Sequence, residues 1–269
     1  MKRMLRGGGA WKFLAVCALT AWAGAAAADS ADEVIDANIK AIGGLENIKK
    51  ITSIQRKGEV AVDGQFGQMS GTQEEIVIPG KKAFRNMDLG VFIQKMGWNG
   101  EVAWQDGMQG LGKIEGPEAD QIKSAIAINP LVALKVSKPE GAKVEKLEDE
   151  KVGENDYHVL QLTNPGSETP MKLYINKSTS LLDQATIQQN NPQFGEVTIT
   201  LSSADFQEYN GVKLPNKSGV KIGDILSLDT TFTETKVNEK VDESIFEMPT
   251  PPPPPPAPPA QPAQPPSQN

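Results

Sequence analysis

The chain has 269 residues, 38% of them hydrophobic, a formal net charge of −7, and only one cysteine and one histidine. The acidic balance argues against nucleic-acid binding, because an acidic surface repels phosphates. With Cys17 and His158 as the single thiol and imidazole, we expect no disulfide, no thiolate or histidine-cluster metal site and no cofactor.

The first 28 residues have the parts of a secretory signal peptide. Four basic residues precede an apolar stretch that is too short for a stable membrane span, and a run of alanines up to Ala28 supplies the small residues that a signal peptidase reads. We predict cleavage before Asp29, which brings the net charge to −11. A membrane anchor and a lipidated Cys17 are the alternatives, disfavoured by the short stretch and by the bulky Val16. The mature chain is therefore predicted to be periplasmic, with no transmembrane anchor.

A helix and a series of strands open the mature chain. Ser30 and Glu33 form the pattern of a capping box, apolar residues recur after them at helical spacing, and two glycines near residue 43 end the helix. Short strand patterns begin at Ile51, and the Asn-Gly pair at 99–100 is a strong hairpin signal. This part is predicted to be an antiparallel meander.

A second helix is predicted after Gly116, with Pro117 near its start and Asn129-Pro130 at its end. Strand patterns then resume near 143–152, 156–163, 170–176, 181–189, 195–203, 205–209, 212–221 and 225–236. Many short strands with two helices favour a mainly β (α+β) fold: one large curved antiparallel sheet with the helices on its concave face.

The C-terminus has a different composition. Pro249 to Pro266 is mostly proline, which lacks a backbone donor and favours extended polyproline II. We predict one domain over 29–249 and a proline-rich tail over 250–269. The tail is interpreted as a spacer or as a ligand for a proline-binding module.

Polar residues give little support for catalysis. His158 shares a strand face with Leu160 and Leu162, which favours a structural histidine, because catalysis needs a nucleophile and an orienting group beside it. Acidic residues at 74–75 and 145–150 border turns, where charge runs are usually solvated surface. We expect no enzymatic activity.

Aromatic and methionine side chains are concentrated between residues 84 and 108. Such a group is what an ordinary core contains. It also suits a lining that adapts to flexible apolar ligands, since burying a lipid chain contributes roughly 0.8 kcal/mol per methylene. Both interpretations stay open at this point.

Several segments together resemble the outer-membrane lipoprotein-sorting-protein family, the LolA/LolB-like group. They are AIGGLENI at 41–48 with ITSI at 51–54, WNGEVAW at 98–104, the helix before NPL at 129–131, DFQEYNGVKLP at 205–215 and SIFEMP at 244–249. The resemblance implies an incomplete antiparallel β-barrel whose open side is plugged by helices. Its best-understood members carry the acyl chains of lipoproteins across the periplasm. Arg56 and Arg85 are candidates for the arginine that is functional in those carriers.

We therefore expect a periplasmic carrier of lipid, lipoprotein acyl chains or another hydrophobic ligand, with the second helix as a lid. The predicted cavity residues are Phe84, Phe92, Met96, Trp98, Trp104, Ile122 and Ile126. The alternative is a non-enzymatic interaction module with a filled core, which binds a cell-envelope protein through the proline tail or a sheet edge.

Overall fold

The computed structural model describes residues 29–65, 67–116, 119, 130–136, 141–164, 169–191 and 195–250. The helices of this part are α1 (Ala31–Ala41), α2 (Leu45–Ile48), α3 (Pro130–Val136) and a 3-10 turn at Glu243–Phe246. None of these helices has the length and apolar character that crossing a bilayer requires.

The strands are β1 (Ile54–Gly64), β2 (Gly67–Ile78), β3 (Lys82–Asp88), β4 (Ile93–Trp98), β5 (Ala103–Asp106), β6 (Gly112–Ile114), β7 (Lys143–Lys146), β8 (Glu150–Val152), β9 (Asn155–Thr163), β10 (Met171–Asn176), β11 (Leu182–Asn191), β12 (Gly195–Tyr209), β13 (Val212–Ile222) and β14 (Leu226–Val237).

All of these strands belong to one antiparallel sheet. Its order is β6-β5-β4-β3-β2-β1-β14-β13-β12-β11-β10-β9-β7, with β8 paired to β9. Two meanders are thus joined where β1 pairs with β14, Ile54 lying opposite Val237. Within the described strands, β6 and β7 end the sheet, which is curved and not closed into a barrel. The predicted fold class is confirmed.

The sheet has two apolar faces. Side chains alternate along each strand, so Leu160 and Leu162 of β9 lie on one face and Tyr157 and Val159 on the other, all of them buried. Helices α1 to α3 pack with Leu160 and Leu162 in the largest hydrophobic cluster. We call the helix-bearing side the inner face and the other side the outer face.

Helix α1 begins and ends as its sequence predicts. Ser30 and Glu33 form the capping box, and Gly43 follows the helix with φ 124°. A Cβ atom at Gly43 would lie 2.0 Å from the Gly211 carbonyl oxygen, so only glycine permits this contact with the β12–β13 turn. The backbone N–H of Lys213 donates to the Ile42 carbonyl at 2.8 Å and completes the connection between helix and sheet.

Two strand predictions differ from the structure. One strand, β12, replaces the pair predicted around residue 204, because Asp205 takes a positive φ of 54° while the pairing with β13 keeps the same register on both sides of it. The strand predicted over 143–152 is divided into β7 and β8, because the pairing with β9 shifts by one residue between Lys146–Leu160 and Glu150–Tyr157. The predicted signal peptide, proline tail and most of the second helix lie outside the described residues.

Candidate ligand-binding face

The helices cover the inner face unevenly. Their cluster takes most of its strand residues from β7 and β9–β13, with Ile54 and Val237 at the end of the β1–β14 pair. The inner face of β1–β6 instead holds two smaller clusters, one around Val60 and Met87 and one around Ala103. Within the part of the chain that the structure describes, neither α1, α2 nor α3 packs in these two clusters.

Three predicted cavity residues lie on this β1–β6 inner face. Met96 and Trp98 point the same way along β4, and Phe92 precedes that strand and packs on the cluster around Met87. All three side chains are only partly buried. The structure therefore brings Phe92, Met96 and Trp98 to one surface, which also carries Gln94 and Arg85; we call the three partly exposed apolar residues the apolar wall.

Phe84 and Trp104 lie on the outer face instead. The register aligns both with Gly97, in a row that alternates with the row of Trp98 and Ala103. The indole lies directly on Gly97, where a Cβ atom would stand 2.4 Å from its Cε2. The rings of Phe84 and Trp104 are 6.2 Å apart. The set predicted for one cavity is thus divided between two faces of the sheet.

The C-terminal strap (residues 239–248) covers these outer aromatic residues. Phe246 is 0% exposed and packs with Phe84 and Trp104. Trp104 Nε1 donates a hydrogen bond to the Phe246 carbonyl oxygen at 2.8 Å. Lys82 pairs with Glu243 at 2.8 Å at the edge of the cluster. The outer aromatic residues are therefore a filled core whose tryptophan has its polar atom satisfied.

The structure describes one residue, Ala119, of the helix predicted to act as the lid. Ile122 and Ile126 lie outside the described residues, but Ala119, at the start of the predicted second helix, is 5% exposed. It packs with Ala103, Ile114 and Trp98 on the β1–β6 inner face.

Both candidate arginines, Arg56 and Arg85, lie in a polar row that crosses the same face, and the sequence pattern did not predict their partners Glu75 and Gln73. Arg56 Nη2 donates to Glu75 Oε2 at 2.5 Å, and Gln73 Nε2 donates to the second oxygen of Glu75 at 2.8 Å. The Arg56 guanidinium lies 3.9 Å above the Phe232 ring, a cation–π arrangement. Next in the cross-strand row, Glu75 faces Arg85. Strand alternation alone could have placed Arg56 and Glu75 on the same face, because each alternates with the outward-facing residues of its strand.

His158 belongs to a separate charged group at the other end of the sheet. Its Nδ1 lies 3.2 Å from Asp149 Oδ1 and its Nε2 lies 3.4 Å from Asp29 Oδ2. Burial alone would raise the pKa of Asp149, but hydrogen bonds from Lys146, Lys177 and His158 outweigh it and hold that pKa well below its usual range. Among the described residues no cluster of acids and His158 is arranged to hold a metal ion.

A shallow cavity of about 340 Å³ opens beside the ends of β1, β2 and β14. Val62 and Met69 line it together with Asp63 and Asp229. Most of its lining residues, namely Ala61, Asp63, Gln68, Ser70, Ser227 and Asp229, alternate with the inner-facing residues of these strands, so the cavity lies on the outer face.

Comparisons with known proteins support the fold. No family model matches the sequence, and no curated protein matches it. A solved LolA superfamily protein from Nitrosomonas europaea is similar in structure with a TM-score of 0.54 and 13% identity, over 82% of this chain and 98% of that one. A putative outer membrane lipoprotein-sorting protein domain from Vibrio parahaemolyticus gives 0.51 and 11%, over 72% and 88%. A DUF1329 family protein from Desulfovibrio piger gives 0.55 and 12%, over 82% and 98%. The resemblance inferred from the sequence is confirmed as a shared fold.

Proposed function

We propose that this protein is a periplasmic carrier of a hydrophobic ligand, a lipid or the acyl chains of a lipoprotein, and that it has no enzymatic activity. The predicted signal peptide, with cleavage before Asp29, supports export. The similar fold of the Vibrio parahaemolyticus protein, a putative outer membrane lipoprotein-sorting protein domain, supports the ligand class.

The main support is the β1–β6 inner face. Phe92, Met96 and Trp98 are large apolar side chains that stay partly exposed there. Methionine and aromatic side chains adapt to chains of varied shape, and each buried methylene of a ligand contributes roughly 0.8 kcal/mol. In our proposal this wall replaces the larger set of cavity residues that was predicted from the sequence. The segment that starts at Ala119 serves as the lid.

The test is uptake of a fluorescent fatty acid by the mature chain and by Met96→Glu. The introduced carboxylate would remove an apolar contact and pair with the neighbouring Arg85, so charge would replace the surface on which the ligand chain packs and the variant should bind at least ten-fold more weakly. Ile93→Glu is the matched control, because Ile93 lies on the same strand, points to the outer face and is already 48% exposed.

Equal binding by Met96→Glu and the wild type would remove this wall from the proposal. No uptake by the folded wild-type chain, and no lipid retained on it after purification, would contradict the carrier function itself.

The C-terminal strap favours a second candidate, a module that binds a cell-envelope protein through its proline tail. Phe246 is fully buried, so the chain reaches Pro249 from a fixed point on the outer face. Deleting residues 251–269 should then abolish capture of that partner while ligand uptake is retained. Unchanged capture would exclude the tail.

A further inference from the structure

Arg85 stands in the middle of the apolar wall. It lies in β3 on the inner face, between the buried Ala83 and Met87 of its own strand. Its cross-strand neighbours are Glu75 on β2 and Met96 on β4. Arg85 Nη2 lies 3.9 Å from Met96 Sδ, a weak acceptor for a guanidinium.

The neighbouring carboxylate is already engaged by other groups. Both oxygens of Glu75 accept hydrogen bonds, one from Arg56 and one from Gln73. The described inner-facing residues of β1–β6 and β14 carry two arginines and this one glutamate, which leaves one positive charge without a counterion. Among the described residues, no carboxylate lies within the 4.0 Å of an ion pair from Arg85. Arg56 Nε adds a buried donor without a partner to the same row.

A cation in this position has a defined chemical preference. The guanidinium cannot lose its charge, and its planar donors match the two oxygens of a carboxylate or phosphate. Holding it half-buried among methionines without an anion costs free energy, which a bound anion recovers. A neutral lipid offers no such gain.

We propose that Arg85 binds the anionic head group of the ligand whose apolar chain contacts Met96 and Trp98, so that the protein selects anionic amphiphiles with a carboxylate or phosphate head over neutral ones. The assignment rests on the carrier function proposed above. The competing occupant is an acid of the chain's own segment 117–129, which contains Glu118 and Asp120.

The test compares ligands with one chain and three heads: oleate, oleyl phosphate and oleyl alcohol. Isothermal titration of the wild-type mature chain should give about ten- to hundred-fold tighter binding of at least one anion than of the alcohol. Arg85→Met should lose that preference and keep the affinity for the alcohol. Arg85→Lys should recover part of it. Lys95→Met is the matched control on the outer face of β4 and should bind like the wild type.

Three results would overturn the assignment. One is an unchanged anion preference in Arg85→Met. Another is equal wild-type binding of all three ligands that turns into anion preference in the double variant Glu118→Gln, Asp120→Asn, which would make the lid acids the counterion. Failure of the wild type to bind even the alcohol would instead reject the carrier function, and the Arg85 assignment with it.

Discussion

At the scale of single residues, the contact between Gly43 and Gly211 holds α1 against the sheet. Gly43 combines a positive φ with a backbone oxygen 2.0 Å from the position of a Cβ atom. Gly44 also has a positive φ, of 81°, but nothing lies within 4 Å of its Cβ position. A substitution at Gly44 therefore introduces backbone strain alone, whereas a substitution at Gly43 adds a steric collision.

Gly44→Ala should lower the free energy of unfolding by about 1–3 kcal/mol, the cost of holding an L-residue at φ 81° and ψ 154°, a backbone region that essentially only glycine adopts. Gly43→Ala should lower it by clearly more, because the β12–β13 turn must also move. Urea unfolding of both variants measures the difference. Equal losses would mean that the collision is relieved at no cost.

Two aspartates on opposite faces should have opposite effects on acid stability. The pKa of Asp149 is lowered by its cationic partners, so the stability that it contributes is present above about pH 4 and is lost as the pH falls. Burial raises the pKa of Asp183, which accepts bonds from Asn176 and Tyr157, so its contribution falls as the pH rises through that same region and above it.

Asp149→Asn should therefore flatten the loss of stability below pH 4, and Asp183→Asn should make stability at neutral pH more favourable relative to pH 3. Thermal unfolding at a series of pH values checks both slopes. Parallel curves for the wild type and either variant would contradict the corresponding sign.

The division of the predicted cavity also belongs to this scale. An even separation, as between Trp98 and Trp104, places two residues on one face only within a single strand. The four-residue loop 99–102 reverses the chain between them, so that Trp98 faces Ala103 and Trp104 faces Gly97. Any even-numbered hairpin loop gives this outcome, so the Asn-Gly signal already contained the information. Carrying the even loop length through to the two faces of the sheet would have separated Trp98 from Trp104 in the prediction.

At the scale of elements, the 3-10 turn of the C-terminal strap closes the outer face. It buries Phe246 on Phe84 and Trp104, and Asn99 Nδ2 donates to Glu247 at 2.8 Å. The sequence pattern predicted the strands but not this contact, because a short apolar segment before a proline run has no periodicity that shows where it packs. Helix α1 was easier to predict, because its capping residues mark its start in the local sequence.

Phe246→Ala should lower the free energy of unfolding by about 3–5 kcal/mol, the usual cost of removing a buried aromatic ring. In a Trp98→Phe background, the fluorescence of Trp104 should also shift to the red as water reaches the indole. Ile245→Ala, at a partly buried neighbour, is the control and should change both quantities less. An unshifted spectrum in Phe246→Ala would mean that the strap does not shield Trp104.

At the scale of the whole molecule, the fold keeps two apolar faces of one sheet apart. The outer face is filled where the strap lies, and the described helices α1 to α3 cover the inner face mainly at β7–β13. Fold class and sheet curvature could be predicted from strand spacing and helix count. The uneven helical cover of the inner face could not be predicted, because it depends on which half of the sheet each helix contacts.

A ligand on the β1–β6 inner face should stabilise the whole sheet, since it binds the folded chain alone. At one hundred times its dissociation constant, oleate should raise the free energy of unfolding by about 2.7 kcal/mol. Met96→Glu should show little of this rise at the same concentration. A rise of equal size in the variant would mean that oleate binds elsewhere on the protein.

The pairing of β1 with β14 has a consequence for the timing of folding. Each meander can form from neighbouring hairpins, but the sheet becomes one only when Ile54 meets Val237. Contacts between such distant parts of a chain form slowly, because a long loop must close first. A chain that emerges from its N-terminus can therefore build the first meander early, but it leaves the open edge of β1 without its partner until β14, its last strand, is released.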